Sequence, residues 1–141
     1  MPVTVSWDDQ EPDVLLLMFE GRWTWDELFA AGGEVVEMAS SRPRRVDVIS
    51  DMFSAPYRPP HFEDKSNQLL LNTVQPPNMR IVVLTVDAFQ YTMFKSYATR
   101  NDLSFCYAFA SCIDEGRELI QASRRGESIT DFVPTAVMER N

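Results

Sequence analysis

The residues best suited to chemistry fall between positions 51 and 87. Asp51, Ser54 and His61 supply, within one short stretch, an acid, a hydroxyl and an imidazole. Those types form a hydrolytic set when the base takes the hydroxyl proton and the acid orients the base. Closeness in the chain is all that joins them here, and no G-x-S-x-G elbow surrounds Ser54. A hydrolase therefore ranks last among the readings, and no residue is assigned a catalytic role. Tyr57 and Arg58 share the same proline-rich loop, and Thr85 and Asp87 follow a later strand. Together Asp51, Ser54, Tyr57, Arg58, His61, Thr85 and Asp87 form the expected ligand or partner surface. Open α/β sheets bind ligands beyond the carboxyl ends of their strands, where helix N-termini favour anions. The plainer roles are an N-cap for Asp87 and a turn former for Asp51.

Other chemistry finds little support. Cys106 and Cys112 match no zinc or CxxC spacing, and the chain has 1 histidine. No metal and no cofactor is expected. The thiols fit a reducing cytosol. Asp8, Asp9, Glu11 and Asp13 read as a solvated turn. The clusters Arg42, Arg44, Arg45 and Arg124, Arg125 read as solvated loops and helix ends. A net charge of −8, from 13 basic and 21 acidic residues, argues against nucleic acid and anionic membranes as partners. The longest apolar run, Val14 to Phe19, is too short to span a bilayer, and the first residues lack the basic start of a signal peptide. A soluble, cytoplasmic protein is expected.

Positioning these residues requires a core, and 141 residues with 45% hydrophobic content suffice for one domain. Val3, Val5 and Trp7 alternate with Thr4 and Ser6, as in a half-buried strand. Val14 to Phe19 reads as a strand covered on both faces, paired with the first in an antiparallel hairpin. Thr24 and Glu27 form a capping box for a helix from Trp25 to about Ala39. Its buried stripe is expected to contain Phe29, Val35 and Gly32, the last allowing close approach to the sheet. Val46 to Asp51 is a third strand, and Pro60 opens a second helix that ends near Val74. Ile81 to Leu84 marks a fourth strand, and Asp87 with Gln90 caps a helix to about Thr99. Phe89, Met93, Phe94 and Tyr97 anchor that helix, which leaves Tyr91 exposed. Phe105, Tyr107 and Phe109 alternate in a fifth strand, before a last helix from Asp114 to Arg124.

The fold expected is therefore α/β: a single, mostly parallel five-stranded sheet in the order β-β-α-β-α-β-α-β-α, with an antiparallel edge hairpin. The domain covers residues 1–125. Residues 126–141 form a tail whose Ile129, Phe132, Val133, Val137 and Met138 are too apolar for free solvation. The tail is expected to pack on the domain or on a neighbouring subunit, so a homodimer stays open.

This order resembles the STAS domain family, and more closely its SpoIIAA-like (STAS/SEC14-like) group. The similar stretches are Phe19 to Glu27 after the second strand, Val46 to Met52 at the third, and Ile113 to Ile120 in the last helix. The pattern covers residues 3 to 125. In phospho-switched members a Ser or Thr in an Asp-Ser-Ser/Thr-Gly-like turn after the third strand accepts phosphate from a partner kinase. Ser54 is the nearest phosphoacceptor here, but the glycine is missing and prolines follow. The resemblance implies a non-enzymatic interaction module in bacterial signalling, with an unidentified protein partner. The alternative it implies is a domain that binds a small apolar ligand or lipid.

Overall fold

The computed structural model describes residues 2–51, 57–62, 64–65, 75–102 and 107–138. Its strands are β1 (Val3–Trp7), β2 (Val14–Phe19), β3 (Val46–Ser50), β4 (Met79–Thr85) and β5 (Tyr107–Ala110). Its helices are α1 (Trp25–Ser40), α2 (Ala88–Arg100), α3 (Ile113–Arg124) and α4 (Thr135–Met138). The strands form one 5-stranded sheet in the order β1-β2-β3-β4-β5. β1 pairs antiparallel with β2, and the remaining neighbours are parallel.

The described order, β-β-α-β-β-α-β-α-α, differs from the expected one. The helix expected from Pro60 to Val74 lies largely outside the described residues, and so does Phe105. The described piece is helical at residues 62, 64 and 65, and the Lys65 N–H donates to the His61 carbonyl at 2.9 Å. The addition is α4, in the tail. It starts after Pro134, whose carbonyl accepts from the Val137 and Met138 N–H groups. None of the described helices is long and apolar enough to cross a membrane.

Alternation at period two sends neighbouring strand residues to opposite faces. Leu15, Leu17, Phe19, Val48 and Phe109 join one cluster with Leu28, Ala31 and Val35 of α1 and Phe94 of α2. Val14, Ile49, Val83 and Ala108 join a second with Leu119 and Ile120 of α3. Ile129 and Phe132 of the tail pack against that second cluster. Helices therefore cover both faces, as a mostly parallel sheet requires.

β4 breaks the alternation. Met79 lies in the first cluster and Ile81, two residues on, in the second. The register shifts between Val46↔Met79 and Val48↔Val82, so β4 carries an extra residue there. A bulge leaves an N–H without its ladder partner. Asp47 on β3 supplies one: its Oδ1 accepts the Ile81 N–H at 3.0 Å.

Asp47 is fully buried, and its charge is met by two arginines. Arg45 Nε donates to Oδ2 at 3.0 Å, and Arg124 Nε donates to the same oxygen at 3.0 Å. Arg124 continues to the turn between β1 and β2, donating to the Pro12 carbonyl at 2.6 Å and the Asp13 carbonyl at 2.9 Å. Arg117 holds the other side of that turn, with Nε 2.7 Å from Asp8 Oδ2 and Nη2 2.9 Å from Oδ1. Arg42 and Arg44 each donate to Asp13 at 2.6 Å. Of the four carboxylates in this turn Asp9 is exposed, whereas Asp8, Glu11 and Asp13 are buried or half-buried and paired, contrary to the solvated turn their composition suggests. Carboxylates and arginines distant in sequence converge on each other, which also removes most of the expected free arginine clusters.

Two expectations about helix faces also change. Phe29 is 47% exposed, and Gly32 has open space where a Cβ would stand. The close approach occurs instead at Gly116 of α3, where an added Cβ would lie 3.3 Å from Ile49 Cδ1 and Val83 Cγ1.

The Asp8 carboxyl is held below the ordinary carboxylate range, chiefly by the hydrogen bond from Arg117. Its folded pKa is depressed, so this contribution is present above the unfolded value of about 3.9 and lost as pH falls through the folded value. In Arg117→Met the buried Asp8 carboxylate loses its partner. That variant is expected to lose about 3 kcal/mol at neutral pH in urea denaturation and to unfold in acid at a higher pH. An unchanged acid midpoint would contradict the pairing.

Candidate functional site

The parallel register lays the carboxyl ends of β3 and β4 side by side, with Ser50 opposite Leu84. The next residue of each strand follows suit. The Asp51 N–H donates to the Leu17 carbonyl at 2.9 Å, and Asp51 Oδ1 accepts from the buried Thr85 hydroxyl at 2.8 Å. Two residues on, Asp87 is the N-cap of α2: its Oδ1 accepts the Gln90 N–H at 2.8 Å, and Gln90 Oε1 accepts the Asp87 N–H at 2.9 Å. This reciprocal box satisfies two N–H groups that the helix start leaves open. Asp51, Thr85 and Asp87 thus lie along one sheet edge, each with a structural bond.

Tyr57, Arg58 and His61 belong to a different neighbourhood. Trp23 donates its indole N–H to the Tyr57 carbonyl at 3.2 Å, and Trp25 donates to the Pro60 carbonyl at 3.0 Å. The Phe62 ring lies 6.4 Å from Trp23 and 6.0 Å from Trp25. The Arg22 guanidinium sits 5.2 Å from the Tyr57 ring centroid, and that of Arg58 sits 5.2 Å from the Phe62 centroid. His61 is exposed, with a left-handed backbone at φ 59 that fits the turn before residue 62. Among the described residues, no hydrogen bond or ion pair joins His61 to Asp51. Ser54 lies outside the described residues, and so do Phe53 and Cys106.

At this edge Asp51 also meets four residues outside the expected surface: Cys112, Ile113, Asp114 and Arg117. Together they line an open groove of about 330 Å³. Its cation is already engaged: Arg117 holds Asp8 and also donates to Asp114 at 2.6 Å. Phe89, expected as an inward anchor of α2, is 66% exposed, whereas Tyr91 is half-buried against Phe109 with ring centroids 5.8 Å apart. The capping box explains the exchange. Gln90 turns inward to reach the cap and is 3% exposed, which sends its neighbour Phe89 outward. Among the described residues, no group of His, Cys, Asp or Glu side chains is arranged to hold a metal ion.

Comparison with protein-family models, with curated proteins and with solved structures finds no match. If Asp87 serves as a cap, Asp87→Ala lowers stability by about 1 kcal/mol in urea denaturation. A loss of stability too small to measure would leave that carboxylate without the structural role described.

Proposed function

We propose that this chain is a non-enzymatic, STAS-like interaction module, of the kind that serves bacterial signalling, and that it acts by protein contact at the carboxyl edge of its sheet. The observation that carries this reading is the exposed Phe89 in the first turn of α2, beside the self-satisfied Asp51, Thr85 and Asp87. The polar groups best placed for chemistry are engaged in a cross-strand bond and a helix cap. What the edge presents outward is an aromatic ring, the residue type that contributes most per side chain at protein interfaces. The order β1-β2-β3-β4-β5 with its antiparallel edge strand is compatible with a STAS-like reading.

Phe89→Ser leaves the buried side of α2 intact. Crosslinked capture from cells carrying the natural gene is expected to recover one specific protein with the wild-type chain, and at least about tenfold less of it with Phe89→Ser, a hot-spot-sized loss. Equal recovery by both chains, or recovery of no specific protein, would contradict the reading. A second reading, a domain for a small ligand, is favoured by a separate observation at the opposite edge of α2.

A further inference from the structure

β5 is an edge strand: among the described residues no strand lies beyond it. α2 packs over its first face and α3 over its second, and the tail bridges the gap. The chain leaves α3 through Gly126 at φ +84, a left-handed turn that glycine adopts without strain. It then passes β5 and returns to the start of α3. There the Ala136 N–H donates to the Ser111 hydroxyl at 2.8 Å, and the Thr135 hydroxyl donates to Glu115. Ile129 and Phe132 point from this strap onto the second cluster.

The strap does not fill the space it crosses. A cavity of about 170 Å³ remains between β5, α2, α3 and the tail. Its apolar walls include Ile81, Leu119, Ile129 and Phe132, and its polar rim includes Lys95 and Thr130. Lys95 donates to the Thr130 carbonyl at 3.1 Å and lies 5.9 Å from the Tyr91 ring. In a chain with 21 acidic residues, no carboxylate among the described residues pairs with it. The strand edge adds a second polar element. Val86 N–H donates to the Ala110 carbonyl at 2.8 Å, so alternation turns the N–H and C=O of Phe109 away from β4, toward the strap.

We propose that this cavity is a binding site for a small aromatic monocarboxylate. Its size suits one ring, since a protein cavity of about 150 Å³ takes up benzene. The ring would lie among Ile81, Leu119, Ile129 and Phe132. The carboxylate would accept from Lys95, which has N–H donors beyond the one given to Thr130. A monoanion matches a single lysine, and a carboxylate leaves room for the ring where a phosphate would crowd it. The acidic charge of the chain does not exclude this, because charges further than about 8 Å away are largely screened at physiological salt. This inference is independent of the protein-contact reading, which concerns the other end of α2.

The test is isothermal titration of the full chain with phenylacetate, and with benzyl alcohol as a neutral ring of similar size. Phenylacetate is expected to bind the wild-type chain more tightly than benzyl alcohol. Lys95→Met should weaken phenylacetate about fivefold, as for a partly exposed ion pair, and leave benzyl alcohol unchanged. Lys95→Arg should retain most of the phenylacetate affinity. Thr130 is exposed, so Thr130→Trp can close the mouth without disturbing the core, and it should abolish binding of both probes. Failure of phenylacetate to bind the wild-type chain would overturn the proposal, as would binding that survives Thr130→Trp. Equal binding of the two probes would overturn the role given to Lys95 and the carboxylate.

Discussion

A buried carboxylate must be paired or it destabilises the fold. Asp47 is such a group, and much of the second face follows from how it is paired. Its Oδ1 takes the Ile81 N–H that the β4 bulge releases, and its Oδ2 takes Arg45 and Arg124. The bulge turns Ile81 and Val83 toward α3, and Arg124 at the end of α3 reaches back to the bulge. Arg117, two turns earlier, fixes the same helix to Asp8. α3 is therefore held by an arginine in its second turn and another at its last residue, and Gly116, next to Arg117, lets it sit close to Ile49 and Val83. Sliding the helix along the sheet would unpair buried charges and drive side chains into Gly116's place.

The two faces are filled differently, and the candidate sites reflect it. The first face carries α1 and α2 together with the Trp23, Trp25 and Phe62 rings, which receive the 57–62 loop. The second face has α3, with the tail supplying Ile129 and Phe132 against the same cluster. The tail bridges the β5 edge without filling it, and the cavity is the space that results. A strap over an edge strand also shields backbone groups that would otherwise template pairing with other chains. α2 borders the two regions of interest: its first turn presents Phe89 at the carboxyl edge, and Lys95, further along the helix, reaches the cavity.

Much of this architecture is legible in the sequence because its signals are local. Period-two apolar runs mark the strands, and the Thr24–Glu27 and Asp87–Gln90 boxes mark the starts of α1 and α2. The parallel order then brings Asp51 and Thr85 together, since residues just past adjacent strand ends become neighbours. The arginine pairs were not legible. Arg117 and Asp8 are separated by 109 positions, and nothing near either residue announces the other. Composition alone made the acidic turn look solvated. Phe89 and Tyr91 changed roles because a helical stripe read from apolar residues omits Gln90, a polar side chain drawn inward by its cap. Gly32 and Gly116 differ only in what faces them, which requires the packed structure. Tyr57, Arg58 and His61 follow β3 in the chain, yet the indole donors of Trp23 and Trp25 draw their loop toward the aromatic cluster.

The pairing of Asp47 with Arg124 is tested most directly by a double-mutant cycle. Urea unfolding of Asp47→Ala, Arg124→Ala and the double variant separates their mutual interaction from the packing each side chain also provides. The account predicts a coupling of about 2 kcal/mol, so that the double variant loses about 2 kcal/mol less than the two single losses summed. Losses that simply add, to within about 0.5 kcal/mol, would contradict it.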